Sequence, residues 1–354
     1  MMGLLEELDV EGDVYLRESL ADTTRRNYSK MELYFVRFLL LSNMLYSFAD
    51  PVHIPYIICT YVQFLARTVS YRSIKGPYLS AVIRLYLLLG LPHPVETAGF
   101  RLQQILAGIR RMHGDATRPK RPITPALLMI FFKILIGTGE LVAPVASALW
   151  CAMLFAFFGF FRKANVTSKS NVWETNTAAP RRRDVFIDRL AYVFWVQLHH
   201  TKTIQFGERT LWVPICGLKG HPLDIIAAYD RMVALIPAGP DDHLFAVPSG
   251  RVGEFVPMTH DFFVTSTKDC VAAAGLNPGL VAGHSYRRGG AAFAHHCKVP
   301  VAFIKLQGDW RSNAYLAYIS VPDEDKVLVS QAMWSRLVVG DLGSTILGGA
   351  RVQV

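Results

Sequence analysis

Apolar side chains recur at intervals of three or four residues along the first third of the chain. In the first such segment, Met31, Tyr34 and Phe38 follow this spacing. Three further segments share the pattern and are separated by Pro and Gly: 56–69, 70–90 and 100–112. Because this period matches one face of an α-helix, the pattern predicts a compact domain of about four helices over residues 16–112.

Two stretches without an apolar period border this domain. Residues 1–15 form an acidic lead-in, and residues 113–123, HGDATRPKRPI, are polar, basic and proline-bearing. Polar segments that contain Pro are typical of linkers between domains. We therefore expect residues 113–123 to be a linker and a second domain to cover residues 124–338.

The period changes inside the second domain. An apolar helical run follows the linker, whereas residues 188–203 and 209–216 alternate and are rich in Val, Phe, Trp and Tyr. This alternation predicts a β-hairpin. Helices interrupted by Pro and Gly are expected to follow, and the Gly-rich residues 339–354 are expected to form a flexible tail. The expected fold class is mainly α with a small β-sheet, an α+β protein.

One segment is apolar enough to raise the question of a membrane span. Residues 141–161 carry no charged side chain. A span needs about 20 apolar residues, and Pro144, Ser147 and Gly159 interrupt this one. The sequence favours a buried central helix and no association with a membrane.

Composition narrows the classes of partner. The chain has 354 residues, 51% of them hydrophobic, and 37 Lys and Arg against 28 Asp and Glu, which gives a net charge of +9. Such a hydrophobic content excludes global disorder, and the basic balance favours a polyanion such as nucleic acid. The five cysteines form no CxxC pair, which indicates reduced thiols and a nuclear location in a eukaryote, or a cytoplasmic one otherwise.

Side chains suited to phosphate chemistry are concentrated in the last third of the chain. His284 and Arg287 are three residues apart and are therefore neighbours on one helix face. Trp310 and Tyr318 follow them, while Arg162 and Lys202 precede them. Taken one at a time, each has an ordinary structural explanation, as a helix-end charge, a solvated turn residue or a core aromatic. Together they are the groups needed to attack a phosphodiester without a metal.

The order of these residues resembles that of the tyrosine recombinases, also called the phage-integrase family. The segments FFGFFRKANV, HSYRRGGAAFA and LQGDWRSNAYLAYI are most similar to the eukaryotic mobile-element branch of Crypton-type and DIRS-type recombinases. The resemblance extends over roughly residues 20–335. It implies a helical, SAM-like core-binding domain followed by a catalytic domain.

The resemblance also implies a role for each cation. Arg162 and Arg287 would bind the non-bridging oxygens of the scissile phosphate, because a guanidinium donates paired hydrogen bonds and stays charged. Lys202 would protonate the departing 5′ oxygen as a general acid. No metal or other cofactor would be needed.

The remaining roles fall to three rings. His284 would accept the proton of the nucleophile, and Trp310 would donate its indole N–H to the phosphate. Tyr318 would be the nucleophile that forms a 3′-phosphotyrosine. Tyr315 lies three residues earlier and is the alternative, although the interval from Trp310 to Tyr318 fits the family better.

One position departs from the family. Three residues after the first arginine the family commonly has an acidic residue that orients the site, whereas this chain has Asn165. An amide carries no charge. The departure at Asn165 therefore bears on whether the enzyme is active more than on whether it descends from this family.

The expected partner is double-stranded DNA, bound by a homo-oligomer, a dimer or a tetramer. The cations expected to contact phosphates lie in the first domain and the linker: Arg25, Arg26, Arg72, Lys75, Arg84, Arg110, Arg111 and Lys120. The sequence predicts a site-specific recombinase or integrase from a mobile element. The alternatives are a domesticated, inactive DNA-binding protein of the same fold and a DNA relaxer resembling type-IB topoisomerases.

Overall fold

The computed structural model describes most of the chain. The described residues are 8, 10–12, 14–16, 18–115, 120–138, 143–173, 178–204, 207–313 and 316. Tyr318, Tyr315, the predicted tail 339–354 and most of the lead-in 1–15 lie outside them. The chain divides into two compact units, an N-terminal unit of residues 1–118 and a C-terminal unit of residues 119–354.

The N-terminal unit is helical. Its helices are α1 (Asp22–Leu41), α2 (Ile54–Ala66), α3 (Tyr71–Ser73), a π-helical turn (Ile74–Tyr78), α4 (Leu79–Leu88) and α5 (Pro94–His113). Phe35 of α1, Tyr61 of α2 and Tyr86 of α4 are fully buried and form the centre of its core. The Phe35 and Tyr61 rings meet edge to face with centroids 4.9 Å apart, an arrangement that aromatic pairs favour.

Two segments of this unit differ from the sequence prediction. Segment 70–90 is divided by the π-helical turn, because Pro77 has no N–H to donate within a helix. The last helix begins at Pro94, before the predicted residue 100, and His93 Nδ1 caps it by accepting from Glu96 N. Gly99 has φ +54° and bends the helix.

The C-terminal unit combines helices with two small sheets. Its helices are α6 (Pro125–Phe132), continued by a π-helical turn (Lys133–Gly137), then α7 (Ala143–Phe158), α8 (Ile225–Leu235), α9 (His260–Ala273), α10 (Ser285–His296) and α11 (Val301–Gln307). Short 3₁₀ turns cover Lys163–Asn165, Arg182–Asp184 and Pro278–Leu280. With the N-terminal helices, these elements confirm the mainly α fold with a small β-sheet.

Helix α7 lies at the centre of the C-terminal unit. Every residue from Ala146 to Phe157 is buried, which confirms the predicted central helix. Among the described residues, no helix is long and apolar enough to cross a membrane. The helix ends at Phe158, before the end of the uncharged run 141–161, because Phe160 adopts a left-handed backbone with φ +52°.

The larger sheet is antiparallel, with strands in the order β1 (Val185–Asp188), β2 (Val193–Leu198) and β3 (Leu211–Cys216). Strands β2 and β3 confirm the predicted hairpin. The first segment of that prediction began too early, since Asp188 Oδ1 accepts from the N–H groups of Leu190 and Ala191 and forms a turn there. Strand β1 was not predicted because it is short and its Phe186 is exposed.

A second hairpin lies in a region for which the sequence predicted only helices. Strands β4 (Ala246–Pro248) and β5 (Phe255–Pro257) pair antiparallel. Each has only three residues, too few for alternation to be recognised in the sequence.

Candidate active site

Arg287 is the most enclosed of the predicted site residues. It lies in the first turn of α10 and is 3% exposed. Its Nη1 donates to the carbonyl oxygen of Phe160, and its Nη2 donates to that of Gly308 at 2.6 Å. The guanidinium carbon lies 3.8 Å from the centroid of the Trp310 ring. These carbonyl and ring contacts fix the guanidinium without adding a formal negative charge.

Two glycines allow α10 to pack closely against its neighbours, Gly290 against α7 and Gly289 against Ile123. A Cβ atom on Gly290 would stand 2.1 Å from the carbonyl oxygen of Phe157, and one on Gly289 would stand 1.8 Å from that of Ile123. Any other residue would clash with a backbone carbonyl at both positions. The two glycines of RRGGAA therefore allow the helix that carries Arg287 to approach the end of α7 on one side and the backbone of Ile123 on the other.

Arg162 follows the left-handed turn that ends α7. It is partly buried, two residues after Phe160, whose carbonyl accepts from Arg287. The next residue, Lys163, lies with its aliphatic chain against Gly283, where a Cβ would stand 2.9 Å from Lys163 Cδ. The two arginines are thus connected through a single backbone turn.

His284 lies at the start of α10 and is exposed. Desolvation lowers its pKa from the ordinary value of 6.5, and the charges of Arg287, Arg162, Lys163 and Lys202 lower it further. Electrostatic effects of this kind require proximity. The charges of all four cations therefore act on one imidazole ring, and the lowered pKa favours its neutral form.

Lys202 is exposed in the turn between β2 and β3. Thr201 and Ile204 pair across this turn. Asn165 is 4% exposed and supports this turn. Its Nδ2 donates to the carbonyl oxygen of His200 at 3.0 Å and to that of Ala178 at 3.2 Å. An amide suits this place because both of its partners accept hydrogen bonds, and a carboxylate could donate to neither.

Trp310 is 7% exposed and closes one side of this cluster. Its ring lies over Arg287 and 6.3 Å from the ring of Phe160, centroid to centroid. Buried Ala291 of α10 and Ile304 of α11 belong to the same small apolar cluster. The indole therefore packs against one face of the guanidinium.

No protein-family model matches the chain, and no curated protein sequence matches it. Solved structures do. The XerH site-specific recombinase bound to palindromic difH substrate has a TM-score of 0.60 at 14% identity, over 87% of this chain and 78% of that one. The Tn1549 transposon integrase in complex with transposon right end DNA has a TM-score of 0.57 at 13% identity, over 93% of this chain and 98% of that one.

A lambda integrase tetramer bound to a Holliday junction has a TM-score of 0.52 at 12% identity, over 90% of this chain and 77% of that one. All three matches extend through both units. The chain has the fold of the tyrosine recombinases. At this level of identity the likeness concerns the fold, and the role of each residue has to come from the site itself.

The part of the chain that the structure describes does not include the predicted nucleophile. Tyr318 and its competitor Tyr315 both lie outside the described residues, which end with 207–313 and 316. Asn313, five residues before Tyr318, is the last residue of the continuous stretch that also contains Trp310. The choice between the two tyrosines stays a prediction.

Most of the predicted DNA-binding cations lie at the surface of the N-terminal unit. Arg72 and Arg110 both pair with Asp115, at 2.8 Å and 3.1 Å. Arg84 is partly buried and pairs with Glu32 at 3.0 Å, which ties α4 to α1. The others are the partly buried Arg25, which pairs with Asp22 and Glu18, and the exposed Arg26, Lys75 and Arg111.

Lys120 belongs to the C-terminal unit. Its Nζ donates to the carbonyl oxygen of Gly279 at 2.6 Å, and Arg121 N donates to that of Leu280. This end of the predicted linker is therefore bound to the loop before α10. Among the described residues, no group of three His, Cys, Asp or Glu is placed to hold a metal ion.

The sequence analysis did not identify Asp309, whose carboxylate contacts the turn that carries Lys202. It directly precedes Trp310, and threonines flank Lys202 on both sides. The position of Asp309 before Trp310 and the threonines around Lys202 do not reveal this contact in the sequence alone, because more than 100 residues separate the two segments.

Proposed function

We propose that the chain is a DNA strand-cleaving and strand-joining enzyme, a site-specific recombinase or integrase that acts through a phosphotyrosine. The observation that carries the proposal is that Arg162, Lys202 and Arg287 lie near enough to His284 for their charges to lower its pKa. These residues come from three separate segments, and one guanidinium is buried against the carbonyl oxygens of Phe160 and Gly308. A cluster of cations around a proton acceptor suits a phosphodiester and not a neutral substrate.

The proposed reaction starts with attack by the Tyr318 oxygen on the scissile phosphorus. The bond from phosphorus to the 5′ oxygen breaks, Lys202 gives that oxygen a proton, and His284 takes the proton of the tyrosine. Arg162 and Arg287 bind the non-bridging oxygens, on which negative charge increases in the transition state. The reverse sequence joins a new 5′ hydroxyl to the same phosphorus.

Surface cations support binding to the DNA backbone. The exposed Arg26, Arg72, Lys75, Arg110 and Arg111 of the N-terminal unit are proposed to contact phosphates, which predicts affinity that falls with salt. Arg84 is the weakest member of the predicted set because it is partly buried as well as paired with Glu32. We propose a dimer or tetramer on DNA; a monomer on a complete site would contradict this.

A more specific proposal concerns the branch of recombinases from which the protein derives. Assignment to the eukaryotic mobile-element branch, and with it a nuclear location, is supported only by the motifs around Arg162, His284 and Trp310. The similar structures named above come from a wider set of recombinases and integrases.

Covalent trapping on DNA tests the proposal. The full-length protein is incubated with randomised duplexes that carry a nick, from which a short fragment can leave after cleavage. Adducts that survive detergent are recovered and sequenced. We expect a protein–DNA adduct on a preferred sequence, lost in Tyr318→Phe and retained in Tyr315→Phe.

The other results each favour a different function. Duplex binding without an adduct would indicate an inactive DNA-binding protein. Relaxation of any supercoiled plasmid without sequence preference would indicate a topoisomerase-like relaxer. An adduct that persists in Tyr318→Phe and disappears in Tyr315→Phe would reverse the assignment of the nucleophile.

A further inference from the structure

Asp309 connects the turn that carries Lys202 to the segment that carries Trp310. Its carboxylate accepts hydrogen bonds from Thr201 Oγ1 at 2.8 Å and from Thr203 Oγ1. These threonines are the residues on either side of Lys202. The Asp309 side chain is only 10% exposed, so its contacts with the two threonines are largely shielded from solvent.

Two further contacts join the same segments. Arg209 donates from Nη2 to Asp309 Oδ1, so both carboxylate oxygens are engaged. Arg311, two residues after Asp309, donates from Nη2 to the carbonyl oxygen of Thr203 at 2.6 Å. Side chains and backbone of the turn are thus held by one short stretch that follows α11.

The backbone on both sides of Asp309 is constrained. Asp309 has φ +50°, a left-handed conformation that few residues other than Gly, Asn and Asp adopt readily. Gly308 has no room for a side chain, because a Cβ there would stand 1.6 Å from Trp310 Cζ3. The turn therefore fixes the Asp309 carboxylate relative to the Trp310 indole.

The carboxylate is ionised where it meets these donors. Burial alone would raise its pKa, but hydrogen bonds from Thr203, Thr201 and Arg209 outweigh burial and hold the pKa of Asp309 below its ordinary value of 3.8. Hydrogen bonds to an ionised acceptor are about twice as strong as neutral ones. The connection is thus strong enough to position a turn that would otherwise be exposed.

We propose that Asp309 is a positioning residue for proton transfer by Lys202. It holds the turn from Thr201 to Thr203 at a fixed place relative to Trp310, and through the ring of Trp310 relative to the phosphate site at Arg287. Asp309 itself does not contact the substrate, since its charge would repel a phosphate. The inference rests on the proposed function, because it assigns a means of placing the general acid of that reaction.

A change of leaving group tests this role. The duplex recovered by covalent trapping is prepared with the usual 5′ bridging oxygen and, separately, with sulfur at that position. The sulfur leaves as a thiolate and needs no proton, since thiols ionise near pH 8.5. Single-turnover cleavage is measured on both duplexes for wild type, Asp309→Ala, Lys202→Ala and the double variant.

We expect Asp309→Ala to slow cleavage of the oxygen duplex by about 10- to 100-fold, because displacement of a catalytic group by about 1 Å has an effect of this size. On the sulfur duplex the rate should return to within about threefold of wild type, as for Lys202→Ala. The double variant should be no slower than Lys202→Ala alone. A residue that only stabilises the fold would slow both duplexes equally.

Asp230→Ala is the matched control, because Asp230 pairs with Arg189 at 2.6 Å on the surface of the same unit. It should cleave both duplexes at the wild-type rate. If Asp309→Ala fails to fold, the Thr201→Val/Thr203→Val variant takes its place. The ratio of its cleavage rates on the oxygen and sulfur duplexes then tests the role of Asp309. Equal slowing on both duplexes, or no slowing, would overturn the role of Asp309 alone, whereas a wild type that forms no adduct would overturn the proposed function with it.

Discussion

Two arginines predicted to bind DNA in the N-terminal unit and Arg287 in the C-terminal unit are held in opposite ways. In the N-terminal unit, Arg72 and Arg110 are exposed and share the carboxylate of Asp115. In the C-terminal unit, Arg287 is 3% exposed, and carbonyl oxygens and the Trp310 ring hold it. An exposed pair contributes little energy and exchanges partners easily, whereas a buried guanidinium is fixed by its surroundings.

This difference indicates two uses of positive charge. Solvated side chains can adapt to a DNA backbone whose exact path varies, and each contributes a modest share of the affinity. A side chain that must meet one phosphate in one geometry has to be held before the substrate arrives, because reorganisation during the reaction is costly. The following changes test whether the two units differ in this way.

The largest difference is expected between Arg287→Lys and Arg110→Lys. Lysine keeps the charge but cannot reproduce the planar fork that reaches Phe160 and Gly308. We expect Arg287→Lys to slow covalent adduct formation by about 100- to 1,000-fold at saturating DNA. Arg110→Lys should change the rate and the affinity by less than about threefold, since a phosphate accepts either cation. Similar losses in both variants would remove the distinction between the units.

Gly→Ala substitutions on two helices should change the free energy of unfolding in opposite directions. Gly290→Ala forces a Cβ onto the Phe157 carbonyl and should lower the free energy of unfolding of the C-terminal unit by about 3 kcal/mol. Gly108→Ala on α5 meets no atom within 4 Å and should stabilise the N-terminal unit by up to about 1 kcal/mol.

Fluorescence can separate these two effects. All six tryptophans of the chain follow residue 118, so urea unfolding followed by tryptophan emission reports on the C-terminal unit. Far-UV circular dichroism reports on both units. If Gly108→Ala moved the fluorescence transition, the units would not unfold independently.

Asn165→Asp is expected to weaken the protein, although an acidic residue is the family's usual choice at this position. Asn165 faces two carbonyl oxygens, and a carboxylate would lose both hydrogen bonds and add a repulsive charge. We expect a loss of about 2 kcal/mol in the free energy of unfolding, measured by urea denaturation. Asn165→Ala, which adds no charge, should lose less. A gain of stability or activity in Asn165→Asp would show that this amide does not support the Lys202 turn.

The smallest effect concerns pH. Because desolvation and four cations lower the pKa of His284 from 6.5, the folded protein keeps this ring neutral to a lower pH than the unfolded chain does. Adduct formation should therefore hold down to below pH 6.5 before it declines, as protonation removes the base. By linkage, the unfolded state takes up a proton first as the pH falls through 6.5, so the histidine reduces stability there. His284→Gln should make the free energy of unfolding less sensitive to pH below 6.5. A decline of cleavage that begins above pH 6.5 would contradict the role of His284 as the base.

Several features could be predicted because their causes are local. The uncharged and largely apolar composition of α7 required burial on all sides, and alternation over β2 and β3 required a half-buried hairpin. His284 and Arg287 are neighbours by helical spacing alone. Thr124 directly precedes α6, and its Oγ1 accepts from Leu127 N, the cap that a threonine at this place is suited to form.

Other features depended on backbone that no local pattern encodes. The left-handed turn at Phe160 ends α7 early and brings its carbonyl to Arg287, a residue 127 positions later. Strands β1, β4 and β5 are too short to show a period. The donor role of Asn165 follows from two carbonyl groups that approach it from distant loops.

The amino-acid sequence by itself thus determined which segments are buried, where the helices and the hairpin form, and which side chains are chemically suited to a phosphate. Only the tertiary structure decided how those side chains are supported, since Arg287 depends on Gly308 and Phe160, and the Lys202 turn depends on Asn165 and Asp309. The physical reason is that patterning reflects burial along one element, whereas a hydrogen bond between distant segments requires both to be placed first.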